Sequence, residues 1–97
     1  MPVSTDSTEQ VDQHATDAAA AITLLRDQID SLDEAIIRLV AERAKLSARV
    51  QTTRMNAGGT RVQLGRERVI MDAYRSALGH NGPTLADAVL GVCRGSR

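Results

Sequence analysis

From residue 17 or 18 to about residue 56 the chain contains neither Gly nor Pro. Over that run apolar side chains recur at Leu25, Ile29, Leu32, Ile36, Leu39, Leu46 and Val50. The steps alternate between four and three, which is one stripe along a helix and the seam by which it packs. Position 43 falls on this seam, and it is Arg43. Glu34, Arg38 and Glu42 stand at i,i+4 spacing on another side and fit a solvated face.

The helical pattern stops at Ala57-Gly58-Gly59. A second helix is predicted over 66–78, with Val69, Ile70, Ala73, Tyr74 and Ala77 recurring and Gly79 as its stop. A third is predicted from 83 to about 93, opened by Gly82-Pro83 and carrying Leu85, Ala88, Val89 and Val92. The fold class is therefore all-α, one long helix and two short ones. A helix of nearly forty residues spans about 55 to 60 Å, and the two short ones together about 35 Å. A compact monomer of this size has a radius of gyration of about 13 Å. The short helices cannot cover the long one, so a second copy must, and an intertwined homodimer is expected.

Composition narrows this further. At 97 residues the chain holds one domain at most. Tyr74 is its one aromatic residue, so Leu, Ile, Val and Ala must build the core. Residues 1–17 carry Asp6, Glu9, Asp12 and Asp17 with no Lys or Arg. Residues 1–16 read as a disordered polar tail and 17–97 as the helical domain. The opening residues lack the basic and apolar regions of a signal peptide, and no run approaches transmembrane length. A cytoplasmic protein with no membrane association is expected.

The formal net charge is zero, yet residues 43–68 hold Arg43, Lys45, Arg49, Arg54, Arg61, Arg66 and Arg68 against Glu67 alone. A local basic excess in a neutral chain points to an anionic ligand, or to a solvated basic face. Arg43 favours the ligand. An unpaired charge on a packing seam is costly, so it must meet a partner carboxylate or face a cavity that admits an anion. Arg54 lies eleven residues on, three helical turns later, and projects from nearly the same side. No Asp or Glu lies on that side between them.

Other chemistries are poorly served. Cys93 is alone, which excludes an internal disulfide and a Cys-based metal site. His14 and His80 read as surface residues. No Ser or Cys sits in a nucleophile elbow, and "AGGTR" lacks the spacing and the Lys of a phosphate loop. Nucleic-acid binding is not expected of a neutral chain without stacking aromatics. What remains is an Arg-rich site with one carboxylate, Glu67. It suits a small polyanion whose reaction needs orientation and electrostatics, with no cofactor and no metal.

At these residues the chain resembles a known family. "LRDQIDSLDEAIIRLVAERAKLSARV" is similar to the opening of the all-helical chorismate mutases, and the likeness runs over about 22–78. "GGTRVQLGRE" and "CRGSR" resemble the short form found in actinobacteria. The resemblance implies a concerted [3,3] rearrangement of chorismate to prephenate, on the route to phenylalanine and tyrosine, with no proton transfer and no covalent intermediate. By the same resemblance Arg26 grips a substrate carboxylate from the partner chain, and Arg43 takes one from its own chain. Arg54 sits beside the ether oxygen, Glu67 accepts from the ring hydroxyl, and Arg66 orients that end.

Two departures stand out. Gln63 occupies a position that is acidic or apolar in many members. Longer members place a Gln or Glu on the third helix near the ether oxygen, and none follows Glu67 here. Arg94 is then the remaining donor, and modest activity is expected of the isolated chain. The short form's resemblance further implies a DAHP synthase partner that raises activity. Three other functions share the scaffold: a 4-amino-4-deoxychorismate mutase, an isochorismate pyruvate lyase, and a non-catalytic dimerisation module.

Overall fold

The computed structural model describes residues 3–59 and 63–95, with side chains from residue 12 onward. Thr60 and Arg61 of the expected loop, and Ser96 and Arg97 of the tail, lie outside the described residues. The order is α1 (Val3–Asn56), α2 (Leu64–Leu78) and α3 (Gly82–Cys93). No strand occurs among the described residues, so the all-α expectation holds. The chain divides into two units, residues 1–36 and residues 37–97.

The first unit is helical from Val3. The apolar stripe does fade there, but no Gly or Pro interrupts the backbone between Val3 and Asn56. Local bonds of helical spacing occupy the polar side chains. Gln13 Nε2 donates to Asp17 Oδ1 at 3.1 Å, and Thr16 Oγ1 donates to the Asp12 carbonyl at 2.9 Å. Periodicity reports which face packs, and its loss does not by itself end a helix. Leu25, Ile29, Leu32 and Ile36 are all exposed in the single chain.

The second unit holds the rest of α1 with α2 and α3. Its core lies on α3, where Ala86, Val89, Leu90 and Cys93 are buried. α2 and α3 pack on each other. At Gly82 the α3 backbone comes so close to the Tyr74 carbonyl that any Cβ would collide with it. Gly79 ends α2 with a φ of +85° and donates its N–H to the Arg75 carbonyl at 2.9 Å.

Of the apolar set expected on α3, Val89 alone is buried, while Leu85, Ala88 and Val92 are exposed. The buried face is turned by one residue. α3 is apolar nearly all round, with Asp87 its one charge. Pattern could not choose its face, and the smallness of Gly82 and Ala86 does.

α1 shows two distinct faces in this unit. Val40, Arg43, Ser47, Gln51 and Arg54 are half-buried at steps of three and four, with Ala44 beside them. Leu39, Leu46 and Val50 are exposed. The stripe toward α2 and α3 is thus largely polar, and the apolar seam stays mostly exposed in this chain.

Candidate functional site

A polar stripe cannot close on its neighbours as an apolar one does, and a cleft results. It measures about 270 Å³, just below the roughly 300 to 1,000 Å³ of ligand pockets. From α1 it is lined by Arg43, Leu46, Ser47, Val50, Gln51 and Arg54. Gln63 stands at the N-cap position of α2, and Arg66, Glu67 and Ile70 follow on that helix. Leu90, Cys93 and Arg94 complete the lining.

Arg43, Arg54, Gln63, Arg66, Glu67 and Arg94 therefore stand around one cavity. Arg26 lies in the first unit, exposed on α1, and is not among the residues lining the cleft in this chain. Sequence reasoning missed Ser47, Gln51 and Cys93 as lining residues. Ser47 and Gln51 follow Arg43 by four and eight positions, a spacing that would have marked them.

Two side-chain bonds tie the cleft together. Arg43 Nη1 donates to Cys93 Sγ at 3.0 Å, linking α1 to α3. Arg94 Nη2 donates to Glu67 Oε1 at 2.6 Å, linking the end of α3 to the first turn of α2. The bond to Glu67 raises the Arg94 pKa above the ordinary guanidinium value, against the lowering effect of burial. Arg94 is thus a fixed cation. Glu67 also sits where a helix N-terminus favours negative charge.

Four guanidinium groups face one carboxylate in this cleft. Such a site attracts a small anion and can hold planar carboxylates through paired hydrogen bonds. Glu67 adds an acceptor for a hydroxyl. Among the described residues no cluster of His, Cys, Asp and Glu has the arrangement of a metal site. No helix among them is long and apolar enough to cross a membrane.

An all-helical chain with an arginine-lined cleft for a small polyanion is one class of binding or catalytic protein. Its family is given by residues 25–94, which match the family described as chorismate mutase type II. The chain belongs to that family. It is 39% identical over 79 residues to an intracellular chorismate mutase of Mycolicibacterium smegmatis, covering 81% of this chain and 76% of the relative. It is 42% identical over 74 residues to an intracellular chorismate mutase of Mycobacterium tuberculosis, covering 76% of this chain and 70% of the relative. A solved chain from a non-covalent complex of DAHP synthase and chorismate mutase of Corynebacterium glutamicum, with a bound transition-state analogue, superposes with a TM-score of 0.77. It shares 38% identity, and the match covers 82% of this chain and 96% of that one.

Proposed function

We propose that this chain rearranges chorismate to prephenate within the arginine-lined cleft of its second unit. The observation that carries the reading is the meeting of Arg43, Arg54, Arg66, Glu67 and Arg94 around one small cavity in a chain of the type II family. Chorismate has two carboxylates, a ring hydroxyl and an enol ether. In the rearrangement the ether C–O bond breaks as a C–C bond forms, with no proton gained or lost. The protein must hold the compact, chair-like conformer and meet the charge that develops on the ether oxygen. An acceleration of about a million-fold corresponds to roughly 8 kcal/mol of barrier.

Each residue then has one task. Arg43 grips a substrate carboxylate, and its bond to Cys93 limits where that guanidinium points. Arg54 stands beside the ether oxygen, where its cation is worth more in the transition state than in the ground state. Glu67 accepts from the ring hydroxyl through the oxygen that Arg94 leaves open. Arg66, Arg94 and Gln63 orient that end. The catalytic domain is residues 17–97.

The working form is a homodimer. Leu25, Ile29, Leu32, Ile36 and Leu39 are exposed apolar positions along α1, and Leu46 and Val50 continue them to the edge of the cleft. Exposed apolar surface that extensive marks an interface, and a second α1 offers the matching stripe. Arg26 of the second copy supplies the remaining carboxylate grip. A DAHP synthase is the further partner, by likeness to the Corynebacterium glutamicum complex. The site of action is the cytoplasm, in keeping with relatives named as intracellular.

The test is the loss of chorismate absorbance with purified protein, alone and with a DAHP synthase from the same source, prephenate being identified as product. Turnover that disappears in Arg54→Ala supports the reading. Absence of turnover in both conditions overturns it.

A further inference from the structure

The two glycines that end α1 are there for different reasons. Gly58 has a φ of +85°, the left-handed region in which side chains are strained, yet a Cβ at Gly58 would have nothing within 4 Å. Gly59 has no positive φ. A Cβ at Gly59 would lie 2.6 Å from Arg54 Cγ, 3.3 Å from Arg54 Cδ and 3.2 Å from the Arg54 carbonyl oxygen. What excludes a side chain at Gly59 is therefore Arg54 itself.

The backbone fixes this approach. The Arg54 carbonyl accepts from Ala57 N–H at 3.1 Å and from Gly59 N–H at 2.9 Å. These bonds wind the chain back over the last turn of α1 and lay Gly59 against the stem of Arg54. The nearest atom is Cγ, next to the backbone, and not the free end of a long side chain. On a helix Cγ has few staggered positions open to it. Pushing it away changes χ1 and re-aims the whole guanidinium.

We propose that Gly59 is a positioning residue for Arg54, its bare α-carbon serving as the seat on which the Arg54 stem rests. The proposal rests on the mutase reading above. It makes the close of the first helix part of the aim of the charge that meets the ether oxygen. A misplacement of about 1 Å in such a group can lower a rate by roughly 100-fold.

The experiment compares Gly59→Ala with Gly58→Ala in the full chain. The readings are kcat and KM for chorismate, the melting temperature, and the Arg54 Nε–Hε resonance. Gly59→Ala is expected to lower kcat by about 10- to 100-fold with KM within about twofold. It should shift the Arg54 resonance and leave the melting temperature near wild type. Gly58→Ala should lower the melting temperature and keep both kcat and the resonance. A Gly59→Ala protein with wild-type kcat and an unmoved resonance overturns the proposal. So does a loss of kcat that follows melting temperature equally in both variants. A wild-type protein without turnover overturns the mutase reading instead, and the resonance still decides whether Gly59 seats Arg54.

Discussion

Arg94 Nη2 stands 2.6 Å from Glu67 Oε1, so the residue just past α3 holds the carboxylate that opens α2. The bond does two things. It draws one acidic oxygen toward Arg94, and in the proposed mechanism the other oxygen is the one that meets the substrate hydroxyl. It also carries a positive charge from the chain's end into a cleft whose helices supply no further Glu or Gln after Glu67.

Removing that cation should therefore cost activity before stability. Arg94→Met is expected to lower kcat/KM by about 10- to 100-fold, the range for losing one hydrogen bond to a charged group. Combined with Glu67→Gln the loss should fall well short of the product of the two, because they act as a pair. Steady-state kinetics on the two single variants and the double variant measure the shortfall.

Arg54 provides a sharper case. Deleting a preorganised donor at a developing oxyanion costs about 100- to 1,000-fold in kcat. Arg54→Ala should show that loss with KM changed far less. Its melting temperature should stay close to wild type, since Arg54 is half-buried at the end of α1 and outside the α3 core.

Arg43 separates ligand from scaffold. If it serves packing alone, Arg43→Met is neutral or stabilising, as buried ion pairs replaced by apolar groups often are. If it grips a substrate carboxylate, KM rises steeply while the protein stays folded and dimeric. The second outcome is expected, and turnover assays paired with analytical ultracentrifugation read both quantities.

The core offers a purely structural counterpart. Gly82→Ala places a methyl group against the Tyr74 carbonyl, which α2 cannot move without repacking on α3. Overpacking of this kind costs about 1 to 3 kcal/mol. A thermal melt should fall by about 4 to 8 °C per kcal/mol for a domain of this size.

The uncovered stripe on α1 gives a test of assembly. Leu32→Lys puts a charge on the exposed apolar stripe that the proposed homodimer would bury. The protein is expected to dissociate and lose activity together. Sedimentation velocity alongside the chorismate assay follows the two, and activity that survives in a monomer contradicts the dimeric site.

Much of this arrangement was legible from spacing. The Gly58-Gly59 break gave α1 its C-terminal end, Gly79 gave α2 its stop, and Gly82-Pro83 gave α3 its start. Arg43 drew notice because a charge interrupts a seam. The choice of face on α3 was not legible, because Leu85, Ala86, Val89, Leu90 and Val92 surround that helix and only backbone approach at Gly82 selects among them. The bond from Arg43 to Cys93 was equally hidden. It joins positions fifty residues apart, and a single thiol carries no spacing to read.

The stretch of α1 between Arg43 and Arg54 works as a ruler. It is unbroken helix, so the separation of the two guanidinium groups around the axis is set by residue count alone. One inserted residue would rotate Arg54 by about 100° and take it out of the cleft. An insertion of seven, close to two whole turns, would return it to nearly the same bearing but about 10 Å further along. No substitution elsewhere can compensate for either change. Within this stretch altered letters are expected to be tolerated far more readily than altered length, and its lineage should vary in side chains there while keeping the count fixed.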